Sequence, residues 1–316
     1  MSCNWIRRAL LLACASLVLL AGCGAGTIES QLNPSRIVVF GDGMSDLGQS
    51  GSRYTVNDGS FNIWTLQLAA SFGLPLSTAS SGGTSYATGN ARVTGKPDAA
   101  GNSATPTVQE QVTTFLATGP IGANDLLVVN AGTSDIITEM AKVTSAAQTS
   151  SQMIANAGQA GRDLAAQVRR LVDTGASHVM VVGPFHLGKT PWATAIGQAD
   201  LLTQASGKFN EELLVSLVDL GAKVLYVDAA FFFNIMVASP VSYSLTNSID
   251  PVCTSVDPGP GIGIGAGQIN SALCTTATLL TGADQNLYMF ADRVYLGPQA
   301  HRKFGENAYT KIRSRW

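Results

Sequence analysis

Few residues of this 316-residue chain have types and positions that could do chemistry. It holds three histidines, His178, His186 and His301, so a mechanism that needs an imidazole has little choice. Two serines follow apolar runs: Ser45 lies in "FGDGMSDLGQ" after "RIVV", and Ser134 lies in "NAGTSD" after "LLVV". A serine nucleophile needs a base within hydrogen-bond reach and an acid to orient that base. The first stretch looks like a turn from a strand into a helix, and a nucleophile carried by such a turn would sit at its tip. The tip is Gly43, which has no side-chain oxygen and keeps only its backbone N–H as a donor. Ser45 is expected to cap the helix that follows, and Asp135 to cap the "IITEM" helix. His186 and His301 are expected to be structural or solvent-facing. No cluster of His and carboxylates has ligand-like spacing, so neither a metal nor a cofactor is expected.

The elements that must position these residues alternate. Four apolar runs read as buried parallel strands: 37–40, 126–129, 179–182 and 224–227. Helical patterns occupy 62–73, 151–175 and 198–221, and a last one closes the chain, with Phe304, Ala308 and Ile312 facing inward. "LYMF" at 287–290 is a candidate fifth strand. This order predicts a three-layer α/β/α sandwich around a central parallel sheet. In such sheets ligands meet the carboxyl ends of the strands, where Gly41–Asp46, Gly132–Asp135 and Pro184–Lys189 all fall. Residues 76–106 are rich in Gly, Ser, Thr and Ala, and 240–286 form a long insertion rich in Gly, Pro, Ser and Thr. A loop that long is functional or poorly ordered. Its "GPGIGIGAG" follows no strand and opens no helix, so it is not read as a nucleotide-binding loop.

Residues 1–22 read as a signal peptide, with Arg7 and Arg8 before the apolar core "ALLLACASLVLL". The segment ends in "LAGC", the pattern of a bacterial lipoprotein signal cleaved before a lipid-bearing Cys23. Gly24 follows with no retention Asp, which points to the outer membrane of a bacterial envelope, on its periplasmic or surface face. Residues 23–34 then form a linker and 35–316 one domain. Without Arg7 and Arg8 the formal charge moves from −2 to −4, which offers no electrostatic footprint for nucleic acid. Of five cysteines, Cys3 and Cys14 leave with the signal, and Cys253 and Cys274 remain to form a disulfide in an oxidising compartment.

Four blocks, in order, resemble the GDSL or SGNH family of ester hydrolases, including its larger secreted and autotransporter-type esterases. The resemblance covers nearly all of the mature chain and implies a flavodoxin-like α/β/α fold. "FGDGMSD" matches the nucleophile block, with Gly43 in the place of the serine. "GGTSYATGNAR" matches the block whose glycine N–H faces the oxyanion, here Gly89. "GTSD" matches the block whose asparagine donates to that oxyanion, and Ser134 replaces the asparagine. "ADRVYLGPQAHR" matches the acid–histidine block: Asp292 is kept, and Tyr295 stands where the histidine would be, with Arg293 as a potential partner for Asp292. A neutral tyrosine is a poor base near pH 7.

Three of the four catalytic side chains that the resemblance implies are therefore replaced. The sequence reading that follows is a lipid-anchored pseudo-hydrolase that binds an acyl, ester or glycan ligand, or another envelope protein, in a cleft lined by Gly43, Ser134 and Tyr295. Its alternatives are an active acylhydrolase with a non-standard site, and a structural or interaction lipoprotein that works through the 240–286 insertion.

Overall fold

A computed structural model of the chain describes residues 32–60 and 62–316. The signal segment and Cys23 lie outside the described residues, and so does most of the linker. Four parallel strands form the central sheet in the order β1 (Arg36–Gly41), β2 (Asp125–Asn130), β3 (His178–Val182) and β4 (Val224–Tyr226). These are the four apolar runs expected from the sequence. Helices cover both faces: α1 (Trp64–Ser71), α2 (Val108–Leu116), α3 (Thr133–Thr144), α4 (Ser150–Asp173), α5 (Pro191–Ala195), α6 (Ala199–Val215), α7 (Ala229–Ala238) and α8 (Pro298–Arg315). β1 to β3 are apolar on both faces because helices dehydrate both, whereas β4, expected to be buried, is only half-buried at the sheet edge. Ile37, Val38, Val39, Phe40, Leu126, Leu127, Val128 and Val129 are all fully buried. The three-layer α/β/α class is thus the observed one.

The sheet begins with a cross-strand ion pair, Arg36 Nη2 to Asp125 Oδ2 at 2.7 Å, in the register that places Gly41 beside Asn130. Residues 84–88 run along the free edge of β1: Val39 N–H donates to the Thr84 carbonyl at 3.0 Å, and Tyr86 N–H to the Val39 carbonyl at 2.7 Å. That segment delivers Gly89 to the carboxyl end of β1.

Two expectations need correction. "LYMF" does not extend the central sheet. Its strand β8 (Tyr288–Phe290) pairs in parallel with β5 (Asn247–Pro251) in a separate two-stranded sheet. The helix expected over 198–221 stops at Val215, and a tight turn with Gly221 at φ +56° reverses the chain into β4. The 240–286 insertion is ordered rather than loose. It carries β5, a short antiparallel pair β6 (Val256–Asp257) with β7 (Gln268–Ile269), and the Cys253–Cys274 disulfide. Val56, Val252, Cys253, Cys274 and Ala291 make a small second core around that bridge.

Candidate functional site

The nucleophile-type turn begins where β1 ends. Gly41 leaves no room for a side chain, because a Cβ there would lie 2.0 Å from the Asn130 carbonyl oxygen. The Gln111 side chain straps the same residue: its Nε2 donates to the Gly41 carbonyl at 2.9 Å, and its Oε1 accepts from Gly41 N–H at 2.8 Å. The turn then runs over Asp42. Its carboxylate accepts from Met44 N–H and from Thr133 N–H, each at 3.1 Å. Asp42 therefore caps the amino end of α3 across the sheet, where Gly132 supplies no side chain. Burial pushes the Asp42 carboxyl up to about 6 against these backbone donors.

This arrangement corrects the roles expected of Ser45 and Asp135. No helix starts at Ser45. Asp46 Oδ1 accepts from Gly48 and Gln49 N–H, and Gly48 at φ +99° turns the chain away. Ser45 is buried: it donates to Asn130 Oδ1 at 2.8 Å and accepts from Trp64 Nε1 at 3.1 Å. Both of its hydrogen-bonding roles are taken. Asp135 lies inside the first turn of α3 and bonds sideways, accepting from Val93 N–H at 3.0 Å beside Arg92 Nε at 3.5 Å. Burial, with Asp42 and Glu139 nearby, raises its carboxyl to about 7 despite Arg92.

The structure brings Gly43, Ser134 and Tyr295 together, and it closes the space between them. Tyr295 is fully buried, with its phenol standing over Gly43. A Cβ on Gly43 would lie 2.8 Å from both Cζ and the hydroxyl oxygen of Tyr295. The Tyr295 hydroxyl lies beside the buried Ser134 hydroxyl, and neither oxygen makes a well-formed hydrogen bond. Burial lifts the phenol well above its ordinary value, and the nearby Asp42 adds to the effect. The expected open cleft lined by these three residues is therefore a filled one.

Asp292 holds the tyrosine in place. Its Oδ1 accepts from Val294 N–H at 2.7 Å and Tyr295 N–H at 2.6 Å, and its Oδ2 from Ser271 N–H at 2.9 Å. Arg293 does not pair with it, because Arg293 Nη1 donates to Gln268 Oε1 at 2.8 Å. Ser271 and Gln268 belong to the insertion, whose Cys253 N–H also donates to the Ala291 carbonyl at 3.0 Å. The insertion thus builds the seat of the 291–295 turn, a role its composition did not reveal.

Gly89 differs from its expected role too. Its N–H donates to Asp46 Oδ2 at 2.7 Å, so it is committed to a carboxylate. Tyr54 lies against it: a Cβ on Gly89 would fall 2.1 Å from the Tyr54 ring. The Tyr54 and Tyr295 rings pack at 5.0 Å. No motif pointed to Tyr54, whose ring packs against both Gly89 and Tyr295. Beyond it opens a cavity of about 320 Å³ of mixed character, lined by Asp46, Tyr54, Asn90, Asp98, Pro260 and Leu273 among others.

The histidines serve structure. His301 is fully buried, and its Nδ1 accepts from Trp64 N–H at 3.3 Å, capping α1. Burial lowers its pKa to about 3. His186 Nδ1 lies 2.9 Å from Asn234 Nδ2, and burial lowers its pKa as well. Among the described residues no hydrogen bond joins a histidine to Ser45 or Ser134.

The family profile described as GDSL-like lipase/acylhydrolase matches residues 37–308. The chain belongs to this family. No curated protein sequence matches it. Solved structures similar to this GDSL-family chain include a carbohydrate acetylesterase from Sinorhizobium meliloti, at 14% identity and TM-score 0.45, covering 88% of this chain and 97% of that one. Another is the aryl esterase of M. smegmatis, at 15% identity and TM-score 0.45, covering 89% of this chain and 99% of that one.

Proposed function

We propose that this GDSL-family protein is a non-catalytic envelope lipoprotein, anchored through Cys23 in the outer membrane, that holds a ligand beside its closed site. The observation that carries this reading is the packing of Tyr295 over Gly43, where a Cβ would meet the ring at 2.8 Å. Neither a nucleophile nor a substrate carbonyl fits there while Tyr295 keeps its place. Gly89 N–H, bound to Asp46, is not free to meet an oxyanion. Of the ligand classes considered, a glycan suits the open cavity best, since its lining is rich in Asp, Asn, Ser and Thr.

The test is ester hydrolysis by the mature chain on p-nitrophenyl esters, with labelling by a serine-reactive fluorophosphonate in parallel. The control is the triple variant Gly43→Ser, Ser134→Asn, Tyr295→His. A silent, unlabelled parent beside an active variant supports the reading. Turnover by the parent with labelling at a serine overturns it. Mass spectrometry of the amino terminus tests the lipid on Cys23.

A further inference from the structure

The described chain starts and ends beside an apolar groove. Leu32 N–H donates to the carbonyl of Trp316, the last residue, at 3.4 Å. Trp316 Nε1 donates to the Ala222 carbonyl at 2.7 Å, and Arg315 Nη2 to the Gly221 carbonyl at 3.0 Å. Gly221 lies on the rim of a cavity of about 550 Å³ lined by Leu214, Val215, Leu217, Val218, Val224 and Tyr226. Its apolar side chains face water: Val218 is 81% exposed, Val215 64% and Leu214 50%. Isolated exposed apolar residues are ordinary, but a contiguous set around one cavity marks a contact surface. The groove flanks β4, the edge of the central sheet.

We infer that this groove is the face with which the protein rests on the lipid bilayer. The inference builds on the reading of Cys23 as the lipid site. Nine residues, 23–31, precede Leu32 in the mature chain. Such a segment reaches at most about 30 Å. A lipid on Cys23 therefore keeps the Leu32–Trp316 corner close to the membrane. The chemistry of that corner suits an interface. Trp316 is half-buried at this corner and its ring adds apolar surface there, its N–H being held by the Ala222 carbonyl. Lys223 and Arg315 are exposed beside the groove, while the nearby Asp219 is paired with Arg169 at 2.8 Å. Exposed cations there attract anionic headgroups. A single lipid signal holds a protein weakly, and a second apolar contact adds to it.

The orientation bears on the site as well. Leu32, Lys223 and the start of β1 lie at the amino ends of the strands, and Gly43 and the Gly89 cavity lie at the carboxyl ends. A protein seated on the groove turns its Gly89 cavity away from the bilayer.

The test uses the full chain, processed in a bacterial host and reconstituted in vesicles of phosphatidylethanolamine and phosphatidylglycerol. Val218→Cys and Ser50→Cys each add one thiol to a mature chain whose other cysteines are the lipid site and the disulfide. Val218 is at the groove, and Ser50 is exposed on the cavity rim. Each is labelled with an environment-sensitive fluorophore and read against lipids carrying a quencher in the acyl chain. The expected result is a blue-shifted, strongly quenched label at 218 and a water-like, unquenched label at 50. If Cys23 carries lipid and the two labels behave alike, the seating is wrong and the anchor stands. If mass spectrometry finds no lipid on Cys23, the anchor reading fails, and the seating that depends on it fails too.

Discussion

The ring of Tyr295 occupies the space into which any side chain at position 43 would grow: a Cβ on Gly43 would stand 2.8 Å from its Cζ. The two residues are 252 positions apart in the chain and are complementary in size. Gly43→Ser should therefore overpack a filled core and cost about 1–3 kcal/mol. Paired with Tyr295→His, which shortens the ring, most of that cost should vanish. Denaturant melts of the parent, both single variants and the double variant give the coupling directly. Additive effects would show that the ring does not fill this space.

Tyr295→Phe separates packing from chemistry. The Tyr295 hydroxyl is buried, with the Ser134 hydroxyl beside it and no well-formed hydrogen bond. Removing it discards a desolvated polar group and keeps the ring, so stability should hold or rise by up to about 1 kcal/mol. A loss of more than that in equilibrium unfolding would reveal a bond from this hydroxyl that matters to the fold.

How much of this was legible in the sequence depends on how local the cause is. The four core strands were legible because a strand buried on both faces must be apolar throughout, as "IVVF" and "VMVV" are. "LYMF" satisfies the same rule, yet four residues say nothing about which edge they join; the partner, Asn247–Pro251, lies in the insertion. Ser45 was misread because a serine after a turn suits a cap in isolation, whereas the bonds that fix it come from Asn130 and Trp64. The replacements at 43, 134 and 295 were visible one by one. That they fill a single space, with Tyr54 laid over Gly89, depends on contacts between segments far apart in the chain.

His301 should make the fold acid-sensitive. Its Nδ1 accepts a hydrogen bond from Trp64 N–H, so protonation would turn the acceptor into a donor facing a donor. Its pKa is depressed to about 3 in the folded chain. The unfolded chain therefore binds the proton first, near pH 6.5. The stability due to the neutral ring is present above that pH and is lost as pH falls toward 3, at about 1.4 kcal/mol per pH unit. Asp42, raised to about 6, and Asp135, raised to about 7, act in the opposite sense: their share is full below about pH 4 and is lost as pH rises through those values. His301→Asn keeps an acceptor for Trp64 and removes the titration. The unfolding free energy of the variant relative to the parent should rise steadily from pH 6.5 down to 4, the carboxyl contributions being common to both, and a constant difference would clear His301 of this role.

The disulfide should hold the site as well as the insertion. It closes a separation of 21 residues, which the chain-entropy account values at about 3 kcal/mol. The same insertion donates Ser271 N–H to Asp292, which in turn fixes Tyr295 N–H. Replacing Cys253 and Cys274 with serine should therefore lower stability by about that amount. It should also loosen the 291–295 turn ahead of the central sheet. Amide exchange would show this as faster exchange at Ser271, Val294 and Tyr295 while β1 and β2 stay protected. If exchange rises only within 254–273, the insertion folds apart from the site, and its part in seating Tyr295 is disproved.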